Sequence, residues 1–191
     1  MNDFNIIIPL KKSTDGTLTG IASTTSMDRD EEKMSQSALK MMVEDIKEVG
    51  VNLFGNHEHS WENTLGVINQ AELVDNQVQV GIILDDPTTN PKIPMLLNKL
   101  GKGIKLGLSV GGNVTSYKWE YNKSANKKIK VLDTVKIYEV SVVGIPSNAD
   151  SFLSIPQAIA KSYNKGKNTK CFNCNSIKIN KGVCSICLTR N

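Results

Sequence analysis

The chain has 191 residues, with 23 Lys or Arg, 19 Asp or Glu, two His and four Cys. This length suits one ordinary domain with a small appendage, and 39% hydrophobic with 22% charged residues is neither a disordered nor a membrane composition. No run of about 18 apolar residues occurs, so no membrane partner is predicted. Residues 1–10 lack a basic lead and a long apolar core, and we do not expect a secretion signal there.

The net charge of +4 is unevenly distributed along the chain. Seven basic residues and no acidic one follow residue 150, whereas the first 150 residues carry 16 basic and 19 acidic groups. All four cysteines also lie in the basic end. The distribution predicts two physically different segments, and it excludes a DNA-binding protein that is basic throughout.

Most of the predicted elements are strands. Apolar and β-branched runs predict them at residues 4–10, 17–23, 51–54, 65–73, 77–84, 104–110, 115–121, 129–135 and 137–145. Thr14-Asp15-Gly16 predicts a turn between the first two, and Asp75-Asn76 predicts a hairpin between 65–73 and 77–84.

Two helices are predicted among these strands. Asp28 and Glu31 are spaced as in a capping box, and they precede an apolar stripe that ends at Gly50. The stripe comprises Met34, Ala38, Met41, Met42, Ile46 and Val49. Residues 91–100 predict a second helix, with Pro near its start and Gly101 at its end.

Three parts of the chain follow from these patterns. Residues 1–155 form a mainly β domain with some helix, in the α+β class, and we find no internal repeat in it. Residues 156–170 contain one or two helical turns and a polar, basic linker. Residues 171–191 form a separate cysteine-containing module.

The four cysteines occur as two Cys-x2-Cys pairs separated by nine residues: Cys171, Cys174, Cys184 and Cys187. Such a pair lets one tight turn point two thiolates at one ion, so two pairs predict a zinc ribbon with a tetrahedral, structural Zn²⁺ site. Two disulfides or an unliganded tail are the alternatives. The absence of cysteine before residue 171 favours a reducing compartment, which disfavours disulfides.

Reactive side chains in the body concentrate in residues 53–59, 107–112 and 138–148. A nucleophilic serine needs an imidazole to take its proton, and the imidazole needs a partner that orients it. Ser109, His57 and Glu139 have the chemistry for these three roles. Equally, a serine in a glycine-rich strand is often a bulge or edge residue, and Glu139 at the start of a strand is often a solvated one.

The residue sequences of these stretches and their order along the chain resemble those of the prohead maturation proteases of tailed phages, which are relatives of the herpesvirus assemblin proteases. The resemblance covers about residues 4–154, including elements at 20–23 and 27–30. Its motifs are Asn56-His57, Leu108-Ser109-Val110-Gly111-Gly112, Glu139-Val140-Ser141-Val142-Val143 and Pro146-Ser147-Asn148.

The resemblance implies an assemblin-like fold, which is a closed or nearly closed, mainly antiparallel β-barrel surrounded by helices. It implies Ser109 as the nucleophile and His57 as the general base. Assemblins use a second histidine as the third member, and Glu139 takes that place here. Backbone N–H groups at Ser147 and Asn148, with Gly111 beside the serine, are the candidates for the oxyanion hole and substrate contacts, although the paired arginines of assemblins are absent.

The implied function is a serine endopeptidase that trims scaffold and major capsid proteins in the assembling prohead, in the host cytoplasm. Assemblin relatives dimerise, which makes homodimerisation or self-association an open expectation. The predicted ribbon is a docking module for scaffold, portal or DNA, and nucleic acid would bind only through the basic tail. No cofactor is expected for catalysis.

Two other functions compete with this interpretation. One is a metal-dependent hydrolase built on His57 and His59, with Glu62 or Asp85-Asp86 completing the ligand set. The other is a non-catalytic capsid-assembly protein of the same fold.

Overall fold

The computed structural model describes residues 18–124 and 126–155, together with the backbone of Ile179–Asn180 and Val183–Cys184. The strands are β1 (Leu18–Thr24), β2 (Glu32–Met34), β3 (Val51–Gly55), β4 (Thr64–Val74), β5 (Gln77–Leu84), β6 (Gly107–Asn122), β7 (Lys127–Val143), β8 (Leu153–Ser154), β9 (Ile179–Asn180) and β10 (Val183–Cys184). The helices are α1 (Gln36–Val49) and α2 (Lys92–Gly101), with a 3₁₀ turn at Trp61–Asn63. Among these residues no helix has the length and apolar character needed to span a bilayer.

Strands β1 to β8 form one curled sheet in the order β2-β7-β3-β4-β5-β1-β8, and β6 also pairs with β7. Strand β7 runs parallel to β2 and β3, while the other pairs are antiparallel. The two sides of the sheet approach each other where the Leu153 N–H donates to the Leu106 carbonyl at 3.0 Å, just before β6. The expectation of a mainly antiparallel sheet is confirmed, since only the pairings of β7 with β2 and β3 are parallel. The expectation of a closed or nearly closed barrel surrounded by helices is corrected to a half-barrel, with two α-helices in the described part.

Strands β6 and β7 are longer than predicted. The two strands predicted at 104–110 and 115–121 are parts of the single strand β6, which begins only at Gly107. The two predicted at 129–135 and 137–145 are likewise parts of β7, which ends at Val143. Three register shifts interrupt the ladder between β6 and β7. Such bulges interrupt the two-residue alternation of side chains. In the sequence, this interruption looks the same as the end of a strand.

Helix α1 begins later than the sequence predicts. Ser35 caps it, accepting from the Ala38 N–H at 3.1 Å, while Asp28 instead closes a loop by accepting from the N–H groups of Asp30 and Glu32. The predicted end is confirmed, because Gly50 has φ 72° and its N–H donates to the Ile46 carbonyl.

The core lies between the sheet and the two helices as one cluster of buried apolar side chains. Helix α1 contributes Ala38, Leu39, Met42 and Ile46 to it. Val49, predicted as part of the stripe, is 76% exposed. The β4–β5 hairpin is confirmed at Asp75 and Asn76, which have φ of 48° and 63° as the two central residues of the turn.

Several predictions lie outside the described residues. They are the strand at 4–10 and its turn, the helical turns and linker at 156–170, and the thiolate site of Cys171, Cys174, Cys184 and Cys187. Strands β9 and β10 form an antiparallel pair in which Cys184 lies opposite Ile179.

Candidate active site

A bulge in β7 decides which way the reactive side chains of this strand point. Gly111 pairs with Glu139 and Gly112 with Ile137, so Tyr138 is an extra residue on β7. Before the bulge Ile137 faces the core, whereas after it Val140 does. Glu139 and Ser141 therefore lie on the opposite face from the core cluster.

Helix α1 supports this bulge through Asp45. The carboxylate is buried and accepts from the Ile137 N–H at 3.0 Å and from the Lys136 ammonium at 2.5 Å. The hydrogen bond that the Lys136 ammonium donates to Asp45 raises the pKa of Lys136 above its ordinary value. The Asp45 side chain on the helix thus accepts the hydrogen bond of the Ile137 N–H, which lies beside the extra residue Tyr138.

His57 is held by a tight turn at the end of β3. Asn56 and His57 both have positive φ, 53° and 58°, and the Glu58 N–H donates to the Gly55 carbonyl at 3.1 Å. This is a type I′ turn, which asparagine tolerates better than most residues. The Asn56 N–H donates to the Val142 carbonyl at 3.0 Å, so the turn is anchored on β7.

Glu139 connects the histidine to the sheet. His57 Nδ1 lies 2.6 Å from Glu139 Oε1, and the Ser141 hydroxyl donates to Glu139 Oε2 at 2.7 Å. The same hydroxyl oxygen accepts from the His57 backbone N–H at 3.1 Å. The Glu139 side chain is only 4% exposed, and this closed network gives both of its oxygens a partner.

Gly111 leaves the space that the carboxylate occupies. A Cβ atom built on Gly111 would lie 2.1 Å from Glu139 Oε1, well inside contact distance. The residue also pairs with Glu139 across the β6–β7 ladder. The glycine beside the serine therefore accommodates the carboxylate.

Ser109 lies on the same face of the sheet as this network. It is half-buried on β6 and pairs with Ser141, so its side chain is on the Glu139 side of the ladder. Within residues 18–124 and 126–155, its hydroxyl makes no hydrogen bond to His57. Hydrogen bonds between a nucleophile and its base are commonly long in free enzymes and tighten when substrate binds.

A cleft of about 180 Å³ opens beside Ser109. Its lining includes Ser147 and Asn148, which follow β7, and Asp28 from the loop before β2. The Asn148 amide donates to the Thr24 hydroxyl at 3.0 Å. Burial raises the pKa of Asp28 above its ordinary value, although two backbone N–H groups partly oppose this.

Arg29 ties this loop to the residues after β7. Its backbone N–H donates to the Ser147 carbonyl at 3.0 Å, and its guanidinium donates to the Pro146 carbonyl. The arginine therefore positions the residues that the sequence singled out beside the serine. Because 117 residues separate Arg29 from Pro146, no local pattern indicates this contact.

His59 approaches the same carboxylate from the other side. Its Nε2 lies 3.6 Å from Glu139 Oε1, and its ring packs against Phe54 with centroids 5.4 Å apart. Within the described residues, these two histidines and Glu139 are the one group with metal-ligating atoms close together. Glu62, Asp85 and Asp86, the ligands expected for a metal-dependent hydrolase, do not join them.

Ser141 contributes to this site, although no function was predicted for it from the sequence. It stands two positions after Glu139, and residues at i and i+2 share one face of a strand. That periodicity is the signal that places it beside the carboxylate. The hydrogen bond that it accepts from the His57 backbone N–H belongs to the tertiary structure alone.

A strand-borne serine, a histidine and a buried carboxylate on one face of a sheet have the chemistry of a serine hydrolase. The family model of the caudovirus prohead serine protease matches residues 11–168. The chain belongs to this family, and it is a serine protease.

The chain was also compared with solved structures and with curated protein sequences. The crystal structure of KSHV protease in complex with a hexapeptide phosphonate inhibitor is similar with a TM-score of 0.44 and 9% sequence identity, over 86% of this chain and 82% of that chain. No curated protein sequence matches the chain.

Proposed function

We propose that this protease is an endopeptidase that cleaves scaffold and major capsid proteins in the maturing prohead, in the host cytoplasm. Ser109 is its nucleophile, His57 its general base and Glu139 the group that orients the base. The observation that carries the proposal is the 2.6 Å contact between His57 Nδ1 and the buried Glu139 carboxylate. Family membership favours this function over a metal-dependent hydrolase and over a non-catalytic assembly protein.

The carboxylate selects the tautomer of the base. With Glu139 ionised, His57 Nδ1 carries the proton and donates it in the hydrogen bond, which leaves a lone pair on Nε2. Nε2 then accepts the proton of the Ser109 hydroxyl while Oγ attacks the scissile carbonyl carbon. The imidazolium gives that proton to the leaving amine, and an acyl-enzyme remains on Ser109.

Hydrolysis repeats the same transfers with water. His57 Nε2 takes a proton from water, the hydroxide equivalent attacks the acyl carbon, and the proton returns to Ser109 Oγ as the acid leaves. Glu139 stabilises the imidazolium in both halves without taking the proton itself. Ser141 keeps the carboxylate in place, since it donates to the oxygen that does not face His57.

We assign the oxyanion hole to backbone N–H groups at Ser147 and Asn148. Both residues line the cleft that contains Ser109, and Arg29 anchors their loop. Gly111 was expected to contact substrate; we assign it instead to Glu139, because the carboxylate occupies the space beside it. Donors at this place would stabilise the negative charge that develops on the scissile carbonyl oxygen.

In this proposal, residues 171–191 form a second module beside the protease domain. Its four cysteines would hold a structural Zn²⁺ as thiolates, and the resulting ribbon would dock the protease to scaffold, portal or DNA. Co-assembly in a prohead holds substrate at high local concentration, so weak intrinsic affinity suffices for cleavage. Self-association remains a prediction of the resemblance to assemblins.

Mass spectrometry of capsid and scaffold proteins made with wild-type or Ser109→Ala protease tests this function. We expect the substitution to abolish cleavage while the circular dichroism spectrum stays unchanged. Ser116→Ala is the matched control, because this exposed serine lies on the same strand and bonds only to Thr134. Normal processing with Ser109→Ala would contradict the proposal.

A further inference from the structure

The two histidines of the chain and Glu139 bring three metal-ligating atoms together at the candidate active site. His57 Nδ1 and His59 Nε2 lie 2.6 Å and 3.6 Å from Glu139 Oε1, and all three atoms are within 4.8 Å of one another. We propose that they bind a divalent transition-metal ion such as Zn²⁺, and that the bound ion switches the protease off. The switching part rests on the proposed catalytic role of His57.

The donor set fits zinc. Two imidazole nitrogens and one carboxylate oxygen form a three-ligand zinc site that leaves the fourth position open for water. Zinc bonds of about 2.0–2.2 Å place tetrahedral ligand atoms about 3.3 Å apart. The His59–Glu139 distance of 3.6 Å already matches, whereas the 2.6 Å His57–Glu139 contact must widen when an ion replaces the proton between its two atoms.

The surroundings hold the ligands in place before any ion arrives. Ser141 donates to the free oxygen of Glu139 at 2.7 Å, which is the kind of outer hydrogen bond that orients a metal-binding carboxylate. Phe54 packs against the ring of His59. The side chains of His57 and His59 are 40% and 59% exposed, so an ion can reach them directly from solvent.

Metal binding removes the base from the proposed reaction. An ion on His57 Nδ1 uses the lone pair of that nitrogen, and the proton that Nδ1 carried moves through solvent to Nε2. Nε2–H has no lone pair in the ring plane and cannot accept the proton of Ser109. The ion also takes the carboxylate oxygen that otherwise stabilises the imidazolium.

The test uses the full chain and Zn²⁺, with bound zinc per chain measured by elemental analysis after equilibrium dialysis. The variants are wild type, His59→Asn, and Glu58→Gln as a control, since Glu58 is an exposed neighbour in the same loop. All three proteins retain the four cysteines, so zinc bound by the cysteines contributes equally to each and does not affect the difference between them. We expect the loss of His59 to weaken this site by at least about 100-fold, so that His59→Asn binds one ion fewer.

Reaction of Ser109 with a fluorophosphonate probe, followed by mass spectrometry, reports the state of the base without a known substrate. Zinc should suppress labelling in wild type and Glu58→Gln but not in His59→Asn. Equal zinc content in wild type and His59→Asn would overturn the site, and labelling or turnover that zinc leaves unchanged or increases would overturn the switch. If Ser109 does not react even without zinc, the proposed catalytic function fails, while the zinc content still decides the metal site.

Discussion

At the scale of single residues, the contact between Gly111 and Glu139 has the sharpest steric consequence. A methyl group at position 111 would lie 2.1 Å from Glu139 Oε1, so Gly111→Ala must push the carboxylate away from His57. We expect kcat to fall by about 100-fold, the effect of displacing a catalytic group by about 1 Å. Peptidase assays should include Gly144→Ala, whose new methyl group would meet no atom within 4 Å. Comparable activity of the two variants would contradict this role.

Asp28 is the residue from which a pH-dependent stability is expected. Burial raises its pKa in the folded chain, so the folded state binds a proton more readily than the unfolded state. Its contribution to stability is therefore full below the unfolded pKa of about 3.9 and is lost as pH rises through the raised folded value.

Asp28→Asn removes the ionisation while keeping a carbonyl oxygen that can accept from the backbone of Asp30 and Glu32. We expect the free energy of unfolding of Asp28→Asn, relative to wild type, to increase with pH through this window and then level off. Urea unfolding at a series of pH values measures it. Asp30→Asn, an exposed neighbour, serves as the control, and a pH-independent difference for Asp28→Asn would contradict the argument.

At the scale of elements, the packing of α1 on the β7 bulge sets the direction of Glu139. Removing Asp45 leaves the Ile137 N–H without its side-chain acceptor beside the extra residue. An unsatisfied buried donor costs about 1–3 kcal/mol, and we expect Asp45→Ala to lower the free energy of unfolding by that amount. Glu44→Ala, an exposed neighbour on the same helix, should change stability by less than about 0.5 kcal/mol. Equal urea midpoints for the two variants would show that the bulge does not need the helix.

At the scale of the whole molecule, the acidic body and the cysteine-rich end are expected to behave as separate units. Cys174→Ser should lower bound zinc by one ion per chain and remove the thiolate-to-metal charge-transfer bands of the cobalt-substituted protein. The main unfolding transition should keep its midpoint, because a ribbon folds through its own metal. Ser185→Ala is a control within the same segment. Four free thiols in a native, zinc-free chain would refute the predicted ribbon.

The extent to which sequence predicts this protein differs between local and long-range features. The hairpin at Asp75-Asn76 and the helix end at Gly50 followed from residues that tolerate positive φ, a property of each residue alone. The predicted start of α1 was wrong because Asp28 can accept hydrogen bonds from the backbone of either a helix or a loop. Here residues 32–34 pair with β7 as strand β2, so Asp28 caps a loop instead of the helix. Strands β6 and β7 were each divided because a bulge and a strand end interrupt the alternation in the same way.

By itself, the sequence determined the side chains available for chemistry: two histidines, a serine among glycines, a carboxylate in an apolar strand and two Cys-x2-Cys pairs. Only the tertiary structure decided that His57 and Glu139, 82 residues apart, are in contact, and that His59 and Ser141 share the same carboxylate. The physical reason is that residue chemistry and turn preference are local. The face on which Glu139 lies depends instead on a bulge that exists only when β7 pairs with β6 and Asp45 of α1 packs against it.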